Sequence, residues 1–101
     1  MNDHQKSDPV SPFWKDPDTV ESFAHRDPDK RLVSLLESYT EPKAVRVLDL
    51  GCAGGRNTVL LADKGFDFQA LDGSWPMTVN TRNRIAKIRG ERAALERCLL
   101  Y

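Results

Sequence analysis

Cysteine is scarce in this chain. Cys52 and Cys98 are the only two in 101 residues, too few for the disulfide framework of a small secreted scaffold. Aromatic residues make up 8%. No apolar stretch is long enough to span a bilayer. The opening "MNDHQKSDPV" has no apolar core, which argues against a secretory signal. His4 and His25 have no cysteine or carboxylate at metal-ligand spacing, so no metal site is expected. The formal net charge is zero and the isoelectric point is about 6.7. A basic field strong enough to dominate nucleic-acid binding is therefore missing. These absences make the cytoplasm the expected compartment and leave no membrane partner.

What is present fits one soluble domain at most: 40% hydrophobic and 30% charged residues. The charge is uneven. Residues 82–101 hold six bases and two acids, while residues 1–44 hold nine acids and six bases. A solvated helix face is the ordinary reading of the basic end. Residues 1–18 read as a lead-in, with Asp16-Pro17 as a turn or helix start. Its Phe13 and Trp14 are expected to dock on the domain at 19–101 or to cover a ligand.

Within that domain, "DTVESFAH" suits a short helix. A second helix is expected after Asp27 as cap and Pro28 as first residue. Leu32, Leu35, Leu36 and Tyr39 would form its buried stripe, and Pro42 its end. "AVRVLDL" at 44–50 reads as a parallel strand buried on both faces. "RNTVLLADK" follows as a helix that stops at Gly65, and "FDFQAL" at 66–71 as a second strand. Helices are expected at 76–89 and 91–100, separated by Gly90. Strands alternating with helices imply βαβ units and a parallel sheet.

The chemistry concentrates in "VLDLGCAGGRNT" at 47–58, where three glycines fall within five residues. Glycine allows positive φ and close approach to the main chain. In an open parallel sheet, ligands bind beyond the carboxyl ends of the strands. Asp72 ends the second strand there, 23 positions after Asp49, and a carboxylate at that place suits a ribose diol. No register of the loop gives the G-x-G-x-x-G of dinucleotide enzymes. Other readings of these residues stay open. Asp72-Gly73 also matches a hairpin turn, although Pro76 opposes a second paired strand. Asp49 could cap the following helix. Arg56 and Asn57 could reach a ligand or simply start that helix. Cys52 reads as a small buried residue.

The loop resembles motif I of the class I S-adenosylmethionine-dependent methyltransferases, [DE]-x-G-x-G-x-G, through Asp49, Gly51 and Gly55. It departs from the motif at Ala53, which stands in place of the middle glycine. "FDFQALDGS" resembles that family's second strand with its ribose-binding acid. The lead-in resembles N-terminal helices of members acting on small molecules or tRNA. The resemblance implies an α/β, Rossmann-like methyltransferase fold that is incomplete here, with two parallel strands and flanking helices. It implies S-adenosyl-L-methionine as cofactor. Gly51 to Gly55, Ala53 included, would hold its methionine part, and Asp49 would orient the loop or meet the amino group. Asp72 would bind the ribose, and Gly73 and Met77 would border the adenine. The family sheet has seven strands, so the expectation is a cofactor-binding N-terminal portion, inactive alone, with exposed strand edges suited to self-association. Neither the catalytic residues nor the methyl acceptor follow from the residues present. A non-enzymatic remnant, a small interaction protein and a nucleic-acid adaptor using the bases at 82–97 are the alternatives.

Overall fold

The computed structural model describes residues 10–101; the start of the lead-in, including His4, lies outside the described residues. Ser11 accepts the Phe13 amide at 3.3 Å and opens a short 3-10 turn, Pro12–Lys15. Asp16 then accepts the Thr19 amide at 3.0 Å, and Pro17 takes the first helical position of α1, Pro17–Ala24. Of the lead-in aromatics, Trp14 docks on the domain, meeting Phe23 edge-on with ring centroids 5.2 Å apart, while Phe13 packs on Trp14 and stays 55% exposed.

Helix α2, Lys30–Glu37, starts later than the Asp27-Pro28 signal suggested. Asp29 is its cap, accepting the amides of Arg31 at 2.8 Å and Leu32 at 3.3 Å. These two donors hold the Asp29 carboxyl below its usual range. The expected stripe is only partly a buried face. Leu36 is buried, but Leu35 is 54% exposed. The helix ends before Tyr39, and Pro42 opens a second 3-10 turn, Pro42–Ala44.

The sheet is parallel and has three strands in the order β1, β2, β3: Arg46–Leu50, Asp67–Asp72 and Cys98–Leu100. Helix α3, Arg56–Lys64, joins β1 to β2. Helices α4, Trp75–Arg89, and α5, Glu91–Arg97, join β2 to β3. This is an α/β arrangement. Two expectations are corrected here. The third strand occupies residues read as the end of a helix. Helix α5 stops at Arg97 because Cys98 pairs with Ala70 on the open edge of β2 and is fully buried there. Gln69 Nε2 takes the carbonyls of Glu96 and Arg97 at 3.2 Å each. Sheet pairing thus overrides the helical spacing of Leu95, Leu99 and Leu100. The hairpin alternative is excluded, since Ser74 after Asp72-Gly73 is the cap of α4 and the strands run parallel.

The second correction concerns β1. Register places Val47 beside Phe68 and Asp49 beside Ala70. Phe68, Ala70 and Cys98 on that face are buried with Leu61, Phe66 and Ile85. Complete burial of Phe66 alone contributes about 2–3 kcal/mol relative to exposure. The opposite face is bare: Leu48 is 60% and Leu50 64% exposed. Strand β1 is therefore buried on one face and not two.

The basic end is not a solvated stripe. Arg82 Nε donates to the Cys98 carbonyl at 2.8 Å. Arg84 donates to the carbonyls of Ala24 at 2.7 Å and Gly54 at 3.2 Å. Arg89 donates to Ala62 and Phe66, and Arg97 pairs with Asp67 at 2.7 Å. Four guanidinium groups thus tie element ends together. Among the described residues, no helix is long and apolar enough to cross a membrane.

Candidate functional site

The glycine loop leaves the carboxyl end of β1 and crosses over β2. The amides of Gly51 and Cys52 both donate to the Leu71 carbonyl, at 2.7 and 3.0 Å. Four residues of the loop take positive φ: Gly51 at 74°, Ala53 at 46°, Gly54 at 83° and Gly55 at 94°. Ala53 is the only non-glycine among the described residues to do so. The chain adopts the motif's backbone despite the alanine, at a cost of about 1–2 kcal/mol for that side chain. Gly54 and Gly55 are also needed for space. A Cβ on Gly54 would sit 3.1 Å from the Ala24 Cβ, and one on Gly55 would sit 3.1 Å from the Thr81 Cγ2.

Asp72 holds the two loops together. One carboxylate oxygen accepts the Ala53 amide at 2.9 Å, and the other accepts the Ser74 amide at 2.8 Å. Ser74 in turn donates its hydroxyl to the Trp14 carbonyl. Trp14, Phe23 and the glycine loop thereby enclose a cleft of about 610 Å³ at the carboxyl ends of β1 and β2. That volume lies within the range of small-molecule sites.

Of the residues singled out in the sequence, Gly51, Ala53, Asp72 and Gly73 line this cleft. Asp49, Gly55 and Met77 do not. Asp49 lies on the core face of β1 and accepts the Thr58 hydroxyl at 2.6 Å, so it does not cap the helix main chain. Burial pushes the Asp49 carboxyl up, against the opposing effects of Thr58 and Arg56. Gly55 is the residue before α3 and packs on Thr81. Met77 is 1% exposed, turned into the core from the first turn of α4. Cys52 is buried beside the Thr81 hydroxyl, and burial pushes its thiol up to about 12, which removes it as a nucleophile at neutral pH. Among the described residues, no three His, Cys, Asp or Glu side chains gather into a metal site.

Sequence reasoning missed Ser74, Arg84 and Tyr101. Ser74 and Tyr101 line the cleft, and Arg84 fixes the Gly54 carbonyl from 30 residues away. Ser74 carried a local signal, since Ser-x-x ahead of a helical stretch marks a cap. Arg84 and Tyr101 carried none, because their positions depend on tertiary pairing.

The family model described as "Tellurite resistance protein TehB" matches residues 32–95, more than half of the chain. No curated protein matches the chain, and no solved structure does. The match spans β1, the glycine loop, α3, β2 and α4 in the order that builds the cleft. The chain belongs to the TehB tellurite resistance family, within the class I S-adenosylmethionine-dependent methyltransferases.

Proposed function

We propose that the cleft binds S-adenosyl-L-methionine and that the chain provides the cofactor-holding part of a methyltransferase. The observation that carries this reading is the cleft itself, with the Asp72 carboxylate and the glycine loop on one wall. The residues present fit such a ligand. A carboxylate offers about four lone-pair sites, and Asp72 uses two of them on Ala53 and Ser74. The other two are available to a ribose diol. Gly51 and Ala53 bring main chain to the wall of the cleft, where the amino-acid arm would lie. Gly73 beside Asp72 would border the base.

When bound, the cofactor supplies a sulfonium methyl group that an acceptor nitrogen, oxygen or carbon can displace. The protein's contribution is alignment. Asp72 and the loop fix the ligand, and Trp14 and Phe23 screen it from water. A small molecule or a tRNA base is the acceptor class in this reading. Among the described residues β1 pairs on one edge only, which favours a role within a wider sheet, and the exposed face at Leu48 and Leu50 favours a further covering layer.

Calorimetric titration with S-adenosylhomocysteine tests the reading. One saturable site is expected, weakened at least tenfold by Asp72→Ala, as the loss of two charge-assisted hydrogen bonds requires. A folded protein that takes up no ligand at millimolar concentration overturns it.

A further inference from the structure

Arg84 does not line the cleft, yet it reaches two of the segments that enclose it. Its Nη1 donates to the Ala24 carbonyl at 2.7 Å and to the Gly54 carbonyl at 3.2 Å. Ala24 is the last residue of α1 and directly follows Phe23, which lines the cleft. A cation also suits the carbonyl end of a helix. Gly54 belongs to the glycine loop. There the Gly55 amide donates to the Cys52 carbonyl at 2.9 Å and closes a turn from Cys52 to Gly55. The two central residues of that turn, Ala53 and Gly54, both take positive φ, as a type I′ turn demands. The peptide joining Gly54 to Gly55 is thus held at both ends, its carbonyl by Arg84 and its amide by Cys52. Glycine takes a left-handed conformation freely, whereas alanine is crowded in it. Ala53 is therefore the strained member of the turn that Arg84 pins, and it lines the cleft.

We infer that Arg84 is a positioning residue for ligand binding: it holds the turn at Ala53 in its left-handed form and locks that turn to the end of α1. This rests on the cofactor reading above and adds a residue that acts on the site without touching the ligand. Without the two hydrogen bonds, crowding at Ala53 favours a relaxed turn, and only the molecules that keep the formed cleft bind. A left-handed alanine is disfavoured about fivefold to thirtyfold. The dependence on Arg84 is therefore tied to the side chain at position 53.

The test is a double-mutant cycle on the full chain, read by calorimetry as affinity for S-adenosylhomocysteine. Arg84→Met keeps the apolar stem and removes the donors. With Ala53 present, it should weaken binding about fivefold to thirtyfold. In the Ala53→Gly background, the same substitution should weaken binding at most about twofold, because glycine needs no external hold there. Arg84→Lys keeps a cation able to donate to the carbonyls and should fall between wild type and Arg84→Met. Circular dichroism melts establish that each variant is folded at the titration temperature; where Arg84→Met is not, Arg84→Lys carries the same comparison. Equal losses in both backgrounds would make Arg84 a general structural tie and overturn the inference. Unchanged affinity in both would overturn it too, and either result leaves the cofactor reading standing. Wild type that binds no S-adenosylhomocysteine removes that reading and the inference with it.

Discussion

Ala53→Gly should stabilise this protein, although glycine usually weakens a fold. Ala53 holds φ at 46°, where a side chain crowds its own backbone. Relief of that crowding gains about 1–2 kcal/mol. Glycine also widens the unfolded ensemble, at a cost of about 0.4–1 kcal/mol. The balance is a gain of about 0.5 kcal/mol, or about 2–4 °C in Tm for a domain of this size. Gly51→Ala is the mirror experiment. Gly51 sits at φ 74°, and a Cβ there would meet nothing within 4 Å. Only the backbone term changes, so the expected loss is about the same 0.5 kcal/mol. Thermal melts followed by circular dichroism measure both. If Ala53→Gly lowers Tm while Gly51→Ala leaves it unchanged, the left-handed assignment of the loop is wrong.

Other expectations concern the supports of the loop. Arg84→Ala removes donors from the carbonyls of Ala24 and Gly54 and should cost about 2–3 kcal/mol in urea unfolding. Arg92→Ala, whose side chain is 93% exposed, should stay within about 0.5 kcal/mol. A loss as large at Arg92 would refute the distinction. Burial pushes Cys52 up to about 12 and Cys98 up to about 11. Raised thiol values mean the folded state keeps protons that the unfolded chain releases. Their stabilisation is complete below the unfolded value and declines above it toward the folded ones. Stability should therefore fall between pH 8 and pH 10. The Cys52→Ala, Cys98→Ala double variant should flatten that profile, and an unchanged profile would contradict it. Trp14 lines the cleft, so S-adenosylhomocysteine should alter tryptophan emission in Trp75→Phe but not in Trp14→Phe. The reverse pattern would place the ligand elsewhere.

The βαβ order and the loop's role as a chain reversal were legible because both rest on local signals. Gly65 after α3 and the alternation of Phe66 and Phe68 depend only on neighbours in sequence. The third strand was not legible. "CLLY" has helical spacing relative to Leu95, and only the edge of β2 makes it a strand. The arginines at 82–97 looked like surface charge because carbonyls at Ala24, Gly54 and Ala62 leave no mark in sequence. Ala53 could be recognised as a departure from the motif, but its positive φ comes from the surrounding bonds of Gly51, Cys52 and Asp72. Met77 sits near Asp72 in sequence, and the helical turn begun by Ser74 carries it into the core instead of the cleft.

The central claim is that the cleft over β1 and β2 holds the cofactor. Amide chemical shifts recorded during titration with S-adenosylhomocysteine test it most directly. The account predicts the largest changes at Gly51, Ala53, Arg56, Asn57, Gly73 and Ser74, with Leu48, Gln69 and Arg97 unmoved. Changes centred on the bare sheet face, or none at saturating ligand, would contradict it.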